Sequence, residues 1–273
     1  MTGMPTAQLR ILCIGAHPDD CEIQFGGTAA KFADLGHAVK FVSMANGDAG
    51  HHVLKGPALA AVRAGEAQEA ARRLGIAATE VLSHHDGEVL ADIETRWEIV
   101  RQIRDWQADL VISHRSCDYH PDHRYTGQAV QDSAYLVVVP SVCPEVPALR
   151  CNPIYLYLED HFKRPVPFSA DIAVDIDDTW QRKLHAMDAH SSQFYEWLPW
   201  VDGRLDEVPV DPAGRLQWLS EVWSRVPCGN VRSALARRYG AERGREIQLA
   251  EAFELCEYGR RPSVAELDEI FPR

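Results

Sequence analysis

The sequence predicts an α/β fold with a doubly wound, mostly parallel sheet of Rossmann-like type and helices on both faces. Three observations in the first half lead to this class. Short, nearly continuous apolar runs recur, as in strands that are buried on both faces. Segments with helical periodicity alternate with them, and glycines such as Gly36 and Gly75 end these segments. This alternation implies right-handed crossovers and a strand order of 3-2-1-4.

The first half supplies the predicted core of the sheet. Apolar runs predict its strands, and periodic segments that end at glycine predict its helices. Asp92 is expected to cap the third helix, and Pro121 to open the fourth, where its missing N–H costs nothing. The predicted strands are residues 9–16, 38–45, 80–83 and 110–113, and the predicted helices are residues 26–35, 59–74, 93–106 and 121–138.

The second half is less regular. Proline-rich segments at residues 139–153 and 196–211 are predicted to be loops. Strands are expected at residues 154–158 and 171–176, and helices from a cap at Asp177 or Asp178 to residue 189, at 213–223 and at 233–239. We therefore expect one domain over residues 1–273. Residues 1–139 would form the Rossmann-like core, and residues 140–273 would shape the substrate pocket.

Composition and charge narrow the classes of function. The net charge of −12 argues against a nucleic-acid binder and against a polybasic membrane patch. The seven cysteines include no CxxC pair, which favours a reduced, intracellular protein. No basic segment followed by an apolar core begins the chain, and no apolar run approaches the ~20 residues of a membrane span. We therefore expect a cytoplasmic protein.

Two polar clusters follow predicted strands and carry the candidate chemistry. HPDD at residues 17–20 ends the first strand, and HPDH at residues 120–123 follows the fourth. In the order 3-2-1-4 these strands are neighbours, and their carboxyl ends flank the switch point at which such sheets bind ligands. The side chains expected to lie close together are therefore His17, Asp19, Asp20, His120 and His123.

Two histidines and one carboxylate with open positions form the ligand set of a catalytic zinc, because a closed structural site needs four protein ligands. Such a metal lowers the pKa of its water to about 7 and polarises a carbonyl. One cluster alone is weak evidence, because its aspartates could merely cap a helix and a lone histidine is usually solvated or hydrogen-bonded. Two clusters at adjacent strand ends favour the metal site.

These motifs resemble those of the PIG-L/LmbE-like N-deacetylases, zinc-dependent enzymes that remove acetyl or other acyl groups from amino sugars and related amides. AHPDDCE at residues 16–22 and HPDH at residues 120–123 are the specific matches, and residues 63–75, 86–88 and 183–193 support them. The resemblance implies an LmbE-like fold, hydrolysis of a linear amide bond and one Zn²⁺ per chain. It also implies an N-acetylglucosamine-type or similar conjugate as substrate, and often a homo-oligomer. Other divalent metals such as Fe²⁺ suit the same ligands.

The resemblance also implies a role for each matching residue. His17, Asp20 and His123 would bind zinc. Asp19 would act as general base on the zinc-bound water. His120 would stabilise the developing oxyanion and could also protonate the leaving amine. Physical chemistry agrees, because a ligand carboxylate cannot easily also accept a proton, so that two adjacent aspartates divide the tasks. A histidine beside the metal is a natural donor to an oxyanion.

Arg63 raises a separate question. It falls with Glu66 inside the apolar face of the second helix, where a buried charge is costly unless it is paired. Either the two form an ion pair, or Arg63 reaches the pocket and holds a sugar hydroxyl, as the resemblance implies. Asp86 resembles a family residue that also contacts sugar hydroxyls. No role is assigned to His190, and His51 and His52 either line the pocket or belong to a solvated loop. The tryptophans, which include two in the loop at residues 196–211, could form a stacking platform for a sugar ring, but aromatic residues at such spacings are more often found in the core or a subunit interface.

Two other classes of function stay open. A non-haem iron oxygenase could use the same set of two histidines and one carboxylate, although the second aspartate speaks against it. A non-catalytic nucleotide-binding module of Rossmann type is the other alternative. The turn after the first strand lacks GxGxxG, however, and places carboxylates where phosphates would lie.

Overall fold

The computed structural model describes residues 8–273. Residues 1–7 lie outside the described residues. The expectation that the chain does not begin with a basic segment and an apolar core falls partly on them. Seven strands form one sheet. They are β1 (Arg10–Gly15), β2 (Ala38–Ala45), β3 (Ala78–His84), β4 (Leu110–Ser113), β5 (Ile154–Leu158), β6 (Ile172–Asp175) and β7 (Ala250–Leu255).

Ten α-helices accompany the sheet within residues 8–273. They are α1 (Asp20–Asp34), α2 (Gly56–Leu74), α3 (Ile93–Trp106), α4 (Pro121–Ser133), α5 (Trp180–Ala189), α6 (Leu198–Val201), α7 (Pro212–Trp223), α8 (Gly229–Tyr239), α9 (Arg243–Glu246) and α10 (Val264–Ile270). A π-helix covers Ser192–Trp197, and 3₁₀ turns cover Leu136–Val138 and Leu205–Glu207.

The sheet confirms the predicted class. Its order is β3-β2-β1-β4-β5-β7-β6, and the first five of these strands run parallel. Along β1, Ile11 and Cys13 face a core with α1, α2 and α5, while Leu12 and Ile14 face a second core with α3 and α4. Both faces of this strand are buried, which explains its continuous apolar run. The carboxyl ends of β1 and β4 lie side by side at the switch point.

Helix α1 corrects one predicted boundary, because it begins at Asp20 and not at residue 26. Gly26 and Gly27 lie inside it, although glycine usually weakens a helix. A Cβ at Gly27 would lie 2.8 Å from Ile176 Cβ, and one at Gly26 would lie 3.3 Å from Lys183 Cγ. These glycines therefore allow close packing and do not mark a helix end.

Other predictions are also wrong in detail. Helix α2 begins at Gly56 and not at residue 59, and α8 begins at Gly229 and not at residue 233. Helix α4 ends at Ser133 and not near residue 138, and a 3₁₀ turn follows. Neither Asp177 nor Asp178 caps α5, because Asp177 accepts the N–H of Leu249 at 2.7 Å and Asp178 pairs with Lys31. The proposed loop at residues 196–211 contains the end of the π-helix, α6 and a 3₁₀ turn.

Strand β7 was not predicted. Its sequence, AEAFEL, contains alanine, glutamate and leucine, which favour helices in isolation. Antiparallel pairing with β5 and β6 makes it a strand. Tertiary pairing therefore overrides local propensity at the edge of the sheet that the second half builds.

Candidate metal centre and active site

The turn from β1 into α1 positions the residues of the first motif, HPDD at residues 17–20. A Cβ at Gly15 would lie 2.8 Å from Asp20 Cβ, so this turn needs a glycine. Asp19 has a φ of 139°, which non-glycine residues rarely adopt and which is found mainly at functional sites. The chain thereby folds back, and Asp20 Oδ2 accepts the backbone N–H groups of Ala16 at 2.9 Å and His17 at 2.8 Å.

The turn from β4 into α4 positions the residues of the second motif, HPDH at residues 120–123. His120 is the N-cap of α4, and its Nδ1 accepts the backbone N–H of Asp122 at 3.2 Å. A Cβ at Gly127 would lie 2.5 Å from the carbonyl oxygen of His114, so only glycine lets α4 pack this closely on the end of β4. This packing holds the first turn of α4, with His123, against the β1 turn.

The three predicted ligands meet between these turns. His17 Nδ1 lies 3.2 Å from His123 Nε2. Asp20 reaches both rings, with Oδ1 3.4 Å from His123 Nε2 and Oδ2 3.6 Å from His17 Nδ1. Ligand bonds of ~2.0–2.1 Å in a tetrahedral zinc site place neighbouring ligand atoms about 3.3 Å apart. The separation of the two ring nitrogens therefore fits one bound zinc ion, and Asp20 approaches the two rings through different oxygens.

The outer ring nitrogens support this fit. His17 Nε2 lies 3.2 Å from both Asp122 Oδ2 and Asp86 Oδ1, and His123 Nδ1 lies 3.1 Å from Asp118 Oδ1. In the neutral rings the protons therefore belong on the outer nitrogens, and two lone pairs face each other inside. Such lone pairs repel unless a metal ion or a proton lies between them, and outer carboxylates of this kind orient metal-bound histidines.

The potential ligand atoms form three overlapping groups. Within each group the atoms lie within 4.8 Å of one another, and the groups are His17 with His120 and His123, Asp20 with His114 and His123, and His17 with Asp86 and Asp122. The predicted ligands are divided between the first two groups, because Asp20 contacts the two histidines through different oxygens. Their assignment as the zinc ligands stays a prediction.

His114 is a site residue that the sequence analysis did not assign. It is buried, its Nε2 lies 3.2 Å from Asp20 Oδ2, and its ring stacks on His123 with centroids 4.2 Å apart. Burial lowers the pKa of His114, and the charge of His123 lowers it further. The signal in the sequence was its position directly after a buried strand, which resembles the position of His17.

The two adjacent aspartates have opposite electrostatic properties. Burial and the neighbouring Asp20 charge raise the pKa of Asp19 to about 7, against the opposing effect of Arg63. Burial also disfavours the charge of Asp20, but His123 and His114 hold the pKa of Asp20 well below its usual value. A pair of carboxyls with separated pKa values is the usual arrangement for dividing two tasks in an active site.

His120 is prepared as a neutral donor. Partial burial lowers its pKa, and the nearby His17 and His123 lower it further. Because Nδ1 accepts the N–H of Asp122, the proton of the neutral ring lies on Nε2. The ring is 4.5 Å from that of His17, measured between centroids.

Arg63 is buried and does not pair with Glu66, so the expected ion pair is wrong. Its Nη2 donates to the carbonyl of Gly50 at 2.7 Å and to Gln193. Glu66 instead accepts the backbone N–H of Ser192 at 2.8 Å and its hydroxyl at 2.6 Å. The side chains of Arg63 and Glu66 therefore connect α2, in the first half of the chain, with the start of the π-helix.

The remaining unassigned histidines lie around this centre. His190 is fully buried, with Nε2 3.3 Å from Glu22 Oε1, and His51 Nε2 donates to Glu196 at 2.9 Å. Burial lowers the pKa of His190, but Glu22 more than offsets this and leaves it raised. Among residues 8–273, every helix is too short or too polar to span a lipid bilayer.

Comparison with known proteins identifies one matching family model and two relatives. The sequence model described as "PIG-L: GlcNAc-PI de-N-acetylase" matches residues 12–134. Diacetylchitobiose deacetylase of Thermococcus kodakarensis is 31% identical over 202 residues, which cover 70% of this chain and 73% of that protein. The 4-oxalmesaconate hydratase of Pseudomonas putida is 27% identical over 202 residues, which cover 71% of this chain and 78% of the hydratase.

Solved structures give the same relationship. The N,N'-diacetylchitobiose deacetylase from Pyrococcus horikoshii superimposes with a TM-score of 0.68 and 27% identity. The superposition covers 90% of this chain and 83% of that one. It therefore extends beyond the segment with the two motifs and includes most of the second half.

Proposed function

Since the chain belongs to the PIG-L family of de-N-acetylases, we propose that it is a metal-dependent hydrolase that removes an N-acetyl or other N-acyl group from an amino sugar or its conjugate. One observation carries the proposal. Two turns that are about 100 residues apart bring His17, Asp20 and His123 within 3.2–3.6 Å of one another, directly beside the buried carboxyl of Asp19.

His17, Asp20 and His123 would hold the metal, with Asp122 and Asp118 orienting the two rings. A bound Zn²⁺ supplies an acidified water and polarises the amide carbonyl. Zinc is the metal implied by the resemblance, and the same donors accept Fe²⁺. The choice of metal is therefore part of the proposal.

Asp19 is proposed to take the proton of the attacking water. A pKa of about 7 is close to the value at which a general base combines a usable basic fraction with a strong affinity for the proton. After the attack, the same carboxyl can return the proton to the departing amine. Asp19 directly precedes the proposed ligand Asp20 in the chain, and its carboxyl interacts electrostatically with Asp20 and His17.

His120 is proposed to stabilise the negative charge that develops on the amide oxygen. Its neutral ring keeps a proton on Nε2. A preorganised hydrogen-bond donor of this kind lowers the free energy of the transition state most where negative charge develops. Arg63 and Asp86 are proposed to bind hydroxyl groups of the sugar. Both are held next to His17, since Asp86 contacts its ring and Arg63 contacts the neighbouring Gly50 loop.

The hydratase relative suggests a second candidate, addition of water to a carboxylated enol. The electrostatics of this site disfavour it. Asp20, Asp86, Asp118 and Asp122 lie within 3.6 Å of ring nitrogens of His17 or His123, and a substrate with several carboxylates would meet their negative charge, which one bound Zn²⁺ offsets only in part. An amide substrate is neutral, and its amine product gains a positive charge that the same aspartates favour.

The test is a panel assay of the metal-loaded protein. N-acetylglucosamine, N,N'-diacetylchitobiose and an N-acetylglucosaminyl inositol would be incubated with protein that carries one equivalent of Zn²⁺, and released acetate would be measured. We expect acetate from at least one compound, and none after chelation. Absence of acetate across the panel, together with hydration of 4-oxalmesaconate, would replace the proposal by the hydratase function.

A further inference from the structure

Four aromatic rings form a continuous stack beside the candidate active site. We call His51, His52, Trp197 and Trp200 the aromatic wall. The centroids of His51 and His52 are 4.7 Å apart, those of His52 and Trp200 are 5.3 Å apart, and those of Trp200 and Trp197 are 5.4 Å apart. Successive planes differ by 21°, 8° and 17°. Trp200 is 49% exposed, so the wall opens to solvent.

The wall is held in place by polar contacts on its buried side. His51 Nε2 donates to Glu196, and His51 Nδ1 accepts the backbone N–H groups of Val53 and Leu54, both at 3.0 Å. The tryptophans come from the π-helix and the start of α6, and π-helices are rare and frequent at functional sites. The stack is therefore a fixed surface and not a chance contact between mobile loops.

The inner end of the wall reaches the reaction centre. The position that a Cβ would take at Gly50 lies 3.1 Å from Asp86 Oδ2, 3.5 Å from Arg63 Nη2 and 3.6 Å from Trp197 Nε1. One acceptor and two donors therefore lie around Gly50 at the inner end of the wall. The other oxygen of Asp86 lies 3.2 Å from His17 Nε2, so this end of the wall adjoins the predicted metal ligands.

We propose that the aromatic wall binds a second ring of the substrate, a pyranose joined by a glycosidic bond to the ring that carries the N-acyl group. This inference rests on the proposed deacetylase function. A pyranose offers an apolar C–H face to aromatic rings, and its hydroxyls suit carboxylates at the rim of the same surface. Glu196, whose side chain is 47% exposed, and Asp86 supply these carboxylates at the two ends.

A subunit interface is the other use of an exposed tryptophan surface, and the polar groups argue against it. Burial against a second copy would desolvate the half-exposed carboxylate of Glu196. A hydroxyl of a sugar ring would instead donate a hydrogen bond to this carboxylate. The wall is therefore expected to distinguish substrates with two rings from those with one.

The test compares N-acetylglucosamine with N,N'-diacetylchitobiose as probes of the zinc-loaded protein. For Trp200→Ala we expect about a tenfold loss of kcat/KM with the two-ring probe, through KM, and an unchanged value with the one-ring probe. Trp200→Phe, which keeps a ring, should recover most of the loss. Tyr135→Ala is the matched control. It removes another exposed aromatic ring just beyond the far end of α4, ~20 Å along the helix from His120, and should change neither value.

Calorimetric binding of both probes separates this inference from the proposed function. It would be measured in an Asp19→Asn background, which prevents turnover. Weaker binding of the two-ring probe alone on Trp200→Ala supports the wall even if the wild type releases no acetate. Equal losses for both probes, or no loss, overturn the inference. A change of molecular mass in sedimentation that accompanies equal losses would assign the wall to a subunit interface.

Discussion

The predicted metal ligands and the aromatic wall adjoin each other and are built in different ways. The ligands come from two short motifs, each placed directly after a buried strand of the first half. The wall joins the loop after β2 to the π-helix, and its His51–Glu196 contact spans 145 residues of sequence. The comparison indicates that local motifs fix the reaction chemistry, whereas contacts between the two halves of the chain fix the shape of the pocket.

The largest expected effect is on the metal site. His123→Ala removes a ligand atom that lies 3.2 Å from His17 Nδ1, so the remaining pair should not retain zinc, and amidase activity should fall to background. Atomic spectroscopy of the dialysed protein measures the zinc content. His185→Ala, which removes an exposed histidine on α5, should keep one equivalent. A full equivalent in His123→Ala would show that this residue is not a ligand.

The next effect is on the general base. Asp19→Asn should keep its zinc and lose about 10²–10⁴-fold in kcat, the usual contribution of general acid–base catalysis. The wild-type rate should rise with pH as Asp19 loses its proton, since only the carboxylate accepts one. Burial raises the pKa of Asp19 to about 7 and a metal cation lowers it, so the acidic limb should lie at or below about pH 7. An unchanged limb in the variant would contradict the assignment.

A smaller effect is expected from the carboxylates that orient His17. Asp122→Asn should weaken zinc affinity about 10–100-fold, the usual range for an outer partner of a ligand histidine. Asp86→Asn is the matched comparison, because it contacts the same nitrogen at the same distance of 3.2 Å but is more exposed. We expect the smaller decrease in zinc affinity in Asp86→Asn. Competition with a chromophoric chelator measures both, and equal affinity in all three proteins would exclude an orienting role.

The smallest effect is expected at the support of the wall. Glu196→Ala removes the carboxylate that accepts the Nε2–H of His51, and a hydrogen bond of this kind contributes about 1 kcal/mol. The KM for N,N'-diacetylchitobiose should therefore rise by at most about fivefold, with kcat unchanged. Glu196→Gln keeps an acceptor for His51 Nε2 and should resemble the wild type. A large fall in kcat in Glu196→Ala would place this residue in the reaction chemistry and break the division between the two regions.

The sequence predicted the parallel part of the fold well because its signals are local. Residues 38–45, 93–106 and 110–113 were bounded as the structure has them, since apolar runs, a capping aspartate and glycine stops each act within a few residues. It failed at α1 and β7 for a related reason. Gly26 and Gly27 serve packing against distant residues, and β7 is a strand only because β5 and β6 flank it.

The same distinction between local and long-range signals applies to the candidate site. Sequence by itself determined which side chains have the chemistry of a metal centre, because His17, Asp19, Asp20, His120 and His123 occur in two recognisable motifs at strand ends. Only the tertiary structure decided that His114 stacks on His123, that Arg63 turns from Glu66 to Gly50 and Gln193, and that His52 meets Trp200. The physical reason is that a motif reports the short-range geometry of one turn. A pocket wall depends on which distant segments pack together, and no periodicity within a segment records that choice.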